Sequence, residues 1–316
     1  MAKKKIFIDG SEGTTGLRIF ERFAGRDDIE LLKIPSESRK NPAVIKQFIH
    51  DSDITFLCLP DAAAREAVSL AEDEDVILID TSTAHRTEPG WAYGYPELSP
   101  EHREAIRTGK RIVVPGCHAT GFITLVYPMI ASGILPRTYP VSAFSLTGYS
   151  GGGKKMIAEY EGDDRGQELL APRQYGLSQM HKHLKEMKAV TGLSKAPLFS
   201  PIVADYYSGM LVSVPVYTDM LNGTQTPESV HALFEKHFAG EQFVKVMPFG
   251  AEADSRNFLG SNNRSGWDGI EIFVTGNEER ILLSSRFDNL GKGASGAAIQ
   301  CLNIVLGCNE AKGLNL

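Results

Sequence analysis

The sequence predicts an α/β protein with a Rossmann-type doubly wound nucleotide domain and an α+β domain whose sheet is mostly antiparallel. Three observations support this class. The first half alternates strand-like apolar runs with helical stretches, the pattern of βαβ units and a parallel sheet. The second half mixes strand-like runs with helices such as "PESVHALFEKHFAG", which favours an antiparallel sheet packed on helices. At 316 residues and 42% hydrophobic content, the chain can bury two cores.

Composition narrows the classes of partner and compartment. The net charge of -6 argues against a nucleic-acid partner, because phosphate-backbone binding relies on dense Lys/Arg patches. The start "MAKKKIFIDG" has no apolar signal core, and no run is long enough to span a bilayer, so we expect no membrane partner. The four cysteines have neither zinc-type spacing nor disulfide-scaffold density. We therefore predict a cytoplasmic protein.

In chain order, the first half pairs "KKIFIDG" with "TTGLRIFERFAG" and "DITFLCLP" with "DAAAREAVSLAEDED", and then adds "VILIDTST" and "RIVVPG". In open parallel sheets, ligands bind beyond the carboxyl ends of the strands. We therefore expect one crevice to be lined by the loops that follow four of these strands, after Ile8, Leu59, Ile79 and Val114.

The first of these loops, "DGSEGTTG", has the spacing of a dinucleotide-binding turn. Gly10, Gly13 and Gly16 permit a tight turn and a close backbone approach to a pyrophosphate. Thr14 and Thr15 open the following helix, whose N–H groups favour an anion. A Gly-rich connection without a ligand is the alternative.

The loop after the second strand predicts which dinucleotide binds. It reads "SESRK" and offers Ser36, Ser38 and Arg39 where NAD-binding proteins commonly carry an acidic residue. Hydroxyl groups and a guanidinium suit the 2'-phosphate of NADP(H). The alternative is an ordinary polar loop.

The stretch "VVPGCHATG" places Cys117 between a strand and a helix start. Backbone N–H groups and the positive end of a helix dipole favour a thiolate there. Beside a nicotinamide, a thiolate suggests acyl chemistry through a thioester. A helix-start cysteine without chemistry remains the alternative, and the other cysteines, Cys58, Cys301 and Cys308, are interpreted as packing residues.

A partner base is sought among eight histidines, and "MHKHLKEM" concentrates His181 and His183. His85, His102 and His118 are alternatives. No third ligand at suitable spacing accompanies the His-x-His pair, so we predict no metal site.

Several motifs, in order along nearly the whole chain, resemble one family. They are "GSEGTTG", "DTSTAHR", "YGYPEL", "VPGCHATG", "GYSGGGKKM", "HKHLKEM" and "DNLGKGASGAAIQCLNIVLG". Together they resemble the short form of the N-acetyl-gamma-glutamyl-phosphate reductase family, within the group that includes aspartate-semialdehyde dehydrogenase.

The resemblance implies an NADPH-dependent, phosphorylating-type aldehyde dehydrogenase of arginine biosynthesis. Cys117 would attack N-acetyl-L-glutamyl 5-phosphate and expel phosphate, and reduction of the thioester would give the 5-semialdehyde. The resemblance assigns the role of catalytic histidine to His183. His181 is the alternative for that role and a candidate substrate contact, and Asn289 is a candidate cofactor contact. It also implies a homo-oligomer, a dimer or tetramer.

Two further candidate substrate contacts follow from residue chemistry. Arg86 could anchor a carboxylate or phosphate with its planar fork, although a structural ion pair is equally consistent with the sequence. Ser150 and Lys154 lie in a Gly-rich turn whose N–H groups and cation could meet the leaving phosphate.

The chain departs from the family pattern at two positions. His118 stands where an aromatic residue usually follows the nucleophile, and it is either a packing change or a second titratable group near Cys117. Lys185 replaces a proline after the His-x-His pair. Neither change removes a reacting group.

The predicted domains are residues 1–117, completed by a C-terminal helix over 293–316, and residues 118–292 for catalysis and subunit contact. Two other functions stay open: an enzyme of the aspartate-semialdehyde dehydrogenase type acting on another acyl phosphate, and a non-catalytic NADP-binding regulator.

Overall fold

The computed structural model describes residues 3–72 and 75–316 and divides into two compact units. Unit 1 comprises the described residues of Met1–Pro115 together with Ala294–Leu314. Unit 2 comprises Gly116–Gly293 and Asn315–Leu316, so that Cys117 belongs to unit 2. Asp73 and Glu74, near the end of the second predicted helical stretch, lie outside the described residues.

Unit 1 is built from strands that alternate with helices. Its strands are β1 (Lys4–Asp9), β2 (Ile29–Leu32), β3 (Ile54–Leu57), β4 (Ile77–Asp80), β5 (Ala92–Tyr93) and β6 (Arg111–Val113). Its helices are α1 (Thr14–Arg22), α2 (Pro42–Asp51), α3 (Asp61–Leu70), α4 (Pro100–Thr108) and, late in the chain, α9 (Gly296–Val305). The described strands pair in parallel, in the order β2-β1-β3-β4-β6-β5.

Both faces of this sheet are covered. Along β1, Ile6 and Ile8 pack with apolar residues of α1, α4 and α9, whereas Phe7 packs with those of α2 and α3. Successive side chains of a strand point to opposite faces, so continuous apolar strands supply both cores. The doubly wound prediction is confirmed.

Unit 2 combines a mixed sheet with helices. Its strands are β7 (Ser142–Gly148), β8 (Arg173–Gln174), β9 (Leu198–Ala204), β10 (Met210–Tyr217), β11 (Val244–Val246), β12 (Ile270–Gly276) and β13 (Arg280–Phe287). Its helices are α5 (Cys117–Ala131), α6 (Gly153–Glu161), α7 (Leu184–Thr191) and α8 (Pro227–His237). The sheet order is β11-β12-β13-β10-β7-β9-β8, with parallel pairing of β11 to β12 and of β7 to β9.

Helix α5 is the apolar centre of unit 2. Most of its residues from His118 to Ile130 are buried, and Gly121 lies directly against Val212 of β10 and Phe287 of β13. The helix therefore fixes its first residue, Cys117, on a rigid element.

The predicted C-terminal helix over 293–316 is wrong in its bounds. A π-helical turn spans Gly291–Ser295, and α9 ends at Val305. Gly307 then turns the chain with a φ of 63°, the left-handed conformation that commonly ends helices at glycine. None of the helices formed by residues 3–72 and 75–316 combines the length and apolar character needed to cross a membrane.

Candidate active site

A cavity of about 560 Å³ lies in unit 1 beyond the carboxyl ends of β1 and β3. The strand order reverses between these two strands, which is where open α/β sheets bind nucleotides. Of the predicted cofactor contacts, Gly10 and Arg39 line this cavity, and the neighbouring lining residues include Asp9, Ser11, Glu12, Ile34 and Lys40.

The glycine loop has the conformation that its sequence predicts. Gly10 has a φ of +83°, and a Cβ there would lie 2.3 Å from the carbonyl oxygen of Cys58. Gly13 is the N-cap of α1, and Thr14, Thr15 and Gly16 form the first turn. Backbone N–H groups at such a helix start suit a pyrophosphate.

Arg39 reaches the cavity from the loop between β2 and α2. Its Nε donates to the carbonyl of Ser36 at 3.1 Å, and its guanidinium forms an ion pair with Glu12 of the glycine loop. Ser38 lies in the same loop. Glu12 was not among the predicted site residues, and it places a carboxylate next to the cation proposed to meet a phosphate.

Asp9, at the end of β1, also faces the cavity, and the pKa of its carboxyl group is raised. Burial raises the pKa of its carboxyl to about 6, although a hydrogen bond from the Gly10 N–H opposes this shift. With this pKa the Asp9 carboxyl group is mostly ionised at neutral pH and becomes protonated below about pH 6.

In unit 2, Cys117 is the first residue of α5 and Gly116 is its N-cap. The N–H of Gly116 donates to Oε2 of the buried Glu186 at 3.2 Å. Gly293 packs against the thiol-bearing residue so closely that a Cβ there would lie 2.9 Å from Cys117 Cβ. Thus both α7 and the loop after β13 contact the start of α5.

Three imidazoles cluster at this helix start. The ring centroid of His118 lies 5.3 Å from that of His181 and 5.6 Å from that of His183, and the latter two are 4.7 Å apart. His183 is the N-cap residue of α7, and its N–H donates to His181 Nδ1 at 3.2 Å. The structure therefore brings the predicted His-x-His pair together with the residue that follows the candidate nucleophile.

His118 itself is buried and is hydrogen bonded through both ring nitrogens. Nδ1 lies 2.7 Å from Ser145 Oγ on β7, and Nε2 lies 2.6 Å from Tyr175 Oη. Burial, together with the charges of His181 and Lys182, lowers the pKa of His118 to about 3. The imidazole is therefore neutral at physiological pH.

Tyr175 and Ser145 were missed by reasoning from the sequence. Tyr175 is close enough to the nucleophile that, after burial, the charge of a Cys117 thiolate is a further cause raising the pKa of its hydroxyl. No local motif identifies either residue, because only the pairing of β7, β8 and β9 brings them to the start of α5.

Asn289 and Ser150 are joined to each other in unit 2. Asn289 Nδ2 donates to Ser150 Oγ at 3.0 Å, and Asn289 Oδ1 accepts the N–H of Gly209 at 2.8 Å. Lys154 lies exposed in the first turn of α6, directly after the Gly-rich turn. The amide of Asn289 thus holds this turn against the strand that begins at Met210.

Arg86 and two of the three alternative histidines, His85 and His102, lie in unit 1. Arg86 Nε donates to the carbonyl of Val114 at 2.9 Å, and its Nη2 donates to that of Thr81 at 3.0 Å. His85 is bonded to buried Asp80 at 2.7 Å and stacks on Trp91. Within the described ranges, no group of three or more His, Cys, Asp or Glu side chains is arranged to hold a metal ion.

Comparison with known families gives two matches. Residues 5–106 match the semialdehyde dehydrogenase NAD binding domain, and residues 117–289 match the semialdehyde dehydrogenase dimerisation domain. The second match alone spans more than half of the chain.

Curated relatives match over nearly the full length. The chain is 44% identical to "N-acetyl-gamma-glutamyl-phosphate reductase 2" of Nostoc sp., over 99% of this chain and 100% of the relative. It is also 44% identical to the N-acetyl-gamma-glutamyl-phosphate reductase of Sinorhizobium medicae, over 96% of this chain and 99% of the relative.

Solved structures share the fold at low identity. Aspartate semialdehyde dehydrogenase II of Vibrio cholerae, complexed with ASA, superposes with a TM-score of 0.73 at 15% identity, covering 97% of this chain and 99% of that one. Aspartate semialdehyde dehydrogenase of Candida albicans with NADP gives a TM-score of 0.64 at 14% identity, covering 96% and 99%.

Proposed function

Because the chain belongs to the N-acetyl-gamma-glutamyl-phosphate reductase family of semialdehyde dehydrogenases, we propose that it reduces N-acetyl-L-glutamyl 5-phosphate to N-acetyl-L-glutamate 5-semialdehyde. The electron donor is NADPH, inorganic phosphate is released, and the reaction serves arginine biosynthesis. The observation that carries this proposal is Cys117 at the start of α5, beside the cluster of His118, His181 and His183.

Cys117 is assigned the role of nucleophile. Its thiolate attacks the acyl carbon, the C–O bond to phosphate breaks, and a thioester forms on Sγ. NADPH, when bound, supplies the hydride that reduces this thioester to a thiohemiacetal. The C–S bond then breaks, which releases the aldehyde and restores the thiolate.

Proton transfer is assigned to the histidine pair. His183, buried at the N-cap of α7, takes the thiol proton before attack and later exchanges a proton with the thiohemiacetal oxygen. His181, whose Nδ1 accepts the N–H of His183, is assigned to contact with the substrate. The ring centroids of the two histidines lie 4.7 Å apart, which supports assigning both to one site.

The unit 1 cavity is assigned to NADP(H). Gly10, Gly13, Thr14, Thr15 and Gly16 would hold the pyrophosphate, and Ser36, Ser38 and Arg39 would hold the 2'-phosphate. The location of the cavity at the strand-order reversal and the inclusion of Arg39 in its wall support this assignment. Asn289 is assigned to the nicotinamide end of the cofactor.

The remaining substrate contacts rest on charge and residue chemistry. Arg86 is assigned to a carboxylate or phosphate of the substrate, and Ser150 and Lys154 to the leaving phosphate. The bond from Asn289 to Ser150, which orders the Gly-rich turn, supports the latter pair.

The chain carries a semialdehyde dehydrogenase dimerisation domain, and we propose that the protein forms a homo-oligomer, either a dimer or a tetramer. One face of the mixed sheet supports this, since its strand register aligns the exposed side chains of Phe144, Leu198, Tyr217 and Leu282. We also assign the enzyme to the cytoplasm.

The assay that tests the function measures phosphate-dependent reduction of NADP by N-acetyl-glutamate semialdehyde. Glutamate and aspartate semialdehydes without the acetyl group are the comparison substrates. Preference for the acetylated compound is expected. Preference for aspartate semialdehyde would favour an enzyme of the aspartate-semialdehyde dehydrogenase type, and NADP binding without turnover of any substrate would favour a regulator.

The nucleophile is tested by Cys117→Ser. We expect this variant to lose activity by more than about a thousandfold, because a serine hydroxyl is far less ionised than a thiol. NADP affinity, measured by fluorescence titration, should be unchanged. Cys308→Ser is the matched control and should keep full activity; full activity of the Cys117 variant would refute the assignment.

A further inference from the structure

His118 stands where the family usually has an aromatic residue, and its imidazole makes hydrogen bonds directly after Cys117. A neutral imidazole has one N–H donor and one acceptor nitrogen, so the chain Ser145–His118–Tyr175 has a direction. When Ser145 donates to Nδ1, Nε2–H donates to Tyr175 Oη. The hydroxyl hydrogen of Tyr175 is then directed away from His118.

These bonds join three elements that are distant in the chain. Ser145 is fully buried on β7, His118 is on α5, and Tyr175 directly follows β8 and precedes the His-x-His pair. The Tyr175 ring lies 6.0 Å from that of His181, and Phe199 packs edge-on to the His118 ring at 5.2 Å. A phenylalanine at position 118 would fill the space but would leave both hydroxyl groups without this partner.

We propose that His118 is a positioning residue, which holds the Tyr175 hydroxyl at the Cys117 thiol and ties the segment carrying His181 and His183 to α5. This proposal rests on the proposed function, because it assumes that Cys117 is the nucleophile. His118 itself exchanges no proton with substrate. Its low pKa keeps it neutral, so the ring retains one donor and one acceptor nitrogen across the working pH range.

Three substitutions of His118 distinguish the contribution of its hydrogen bond to Ser145 from that of its hydrogen bond to Tyr175. His118→Phe keeps the ring and removes both bonds. A glutamine amide reaches the position of Nε2, whereas an asparagine amide reaches that of Nδ1. We therefore expect kcat to fall about tenfold in His118→Phe with little change in KM, to recover largely in His118→Gln, and to stay low in His118→Asn.

A double-mutant cycle with Tyr175→Phe tests whether His118 acts through Tyr175. We expect the double variant His118→Phe/Tyr175→Phe to lose no more activity than the more impaired single variant. Additive losses, equal rescue by asparagine and glutamine, or an unchanged kcat in His118→Phe would each overturn the proposal. If His118→Phe does not fold, a cycle of His118→Asn with Tyr175→Phe makes the same comparison, because the asparagine variant also loses the bond to Tyr175.

Alkylation of Cys117 by iodoacetamide at neutral pH provides a readout that does not need the reaction. We expect its rate, resolved by peptide mass spectrometry, to fall about threefold in His118→Phe and to recover in His118→Gln, because the oriented Tyr175 hydroxyl stabilises the thiolate. Unchanged rates would contradict the positioning role. An inactive wild-type enzyme would instead refute the proposed function, and the alkylation result would still decide the role of His118.

Discussion

At Cys117, two local electrostatic influences act in opposite directions. The N-terminal end of α5 favours a thiolate, as expected for a cysteine at a helix start. The Glu186 side chain accepts the N–H of Gly116, and a negative charge there disfavours the thiolate. The reactivity of this thiol is therefore set by its neighbours as well as by the helix.

Arg39 is expected to determine the preference of the enzyme for NADP over NAD. Arg39→Ala should raise KM for NADP by about tenfold or more and leave KM for NAD nearly unchanged, because a bidentate contact with the 2'-phosphate is lost. Steady-state kinetics with both cofactors measure this. Lys40→Ala, at a neighbouring residue of the same cavity, is the control and should affect NADP less. Equal effects of Arg39→Ala on both cofactors would refute the 2'-phosphate role.

Single residues with a local sequence signature were predictable, whereas those positioned by tertiary pairing were not. Cys117 and Gly10 stand at strand-to-helix turns, so their neighbours in the chain define their surroundings. Tyr175 meets His118 only because β8 joins β9 and β9 joins β7. The ion pair of Glu12 with Arg39 likewise connects two loops that are far apart in sequence.

The packing of α5 depends on close contact with the sheet of unit 2. A Cβ at Gly121 would lie 2.5 Å from Val212 Cγ2 and 2.7 Å from Phe287 Cε1, distances that neighbouring atoms cannot accommodate without moving. The interface between this helix and β10 and β13 therefore requires glycine.

Gly121→Ala should destabilise the protein by about 1–3 kcal/mol, since overpacking shifts the helix against the sheet. Urea unfolding followed by circular dichroism measures the free energy of unfolding. Ala131→Ser, at the exposed end of the same helix, should change it by less than about 0.5 kcal/mol. Equal stability of Gly121→Ala and the wild type would show that the contact can relax.

Elements with a clear period were predicted from the sequence, and those without one were not. Apolar runs located β1, β3, β4 and β6 of the parallel sheet, whereas the two-residue strand β5 was not predicted. Strand β9 (Leu198–Ala204) was not among the predicted strands. The extent of α9 was overestimated, because the helix was predicted over 293–316 and spans Gly296–Val305.

The exposed apolar side chains of the mixed sheet predict where the subunits of the oligomer meet. Phe144 is 47% exposed and Leu282 is 39% exposed, although their strands are central to the sheet. Apolar side chains aligned on an uncovered sheet face are typical of a subunit contact. The dimerisation-domain match covers these strands.

Phe144→Asp should therefore convert the oligomer to a smaller species, because a carboxylate buried in an apolar interface lacks a partner. Light scattering coupled to size-exclusion chromatography measures the mass. Leu17→Asp, at a comparably exposed residue of α1 outside the matched dimerisation domain, is the control and should leave the mass unchanged. An unchanged mass for Phe144→Asp would exclude this face as the contact.

Unit 1 is discontinuous, and this affects the order in which the protein matures during synthesis. The core on one face of its sheet includes Ala297, Ala298, Ile299 and Leu302 of α9, which are translated after the long stretch Gly116–Gly293 of unit 2. Emerging domains usually fold from the N-terminus onward. Here the strand residues on one face of the first sheet are covered by α9 only after Gly116–Gly293 has been translated, so a chain that stops before α9 leaves that apolar face exposed.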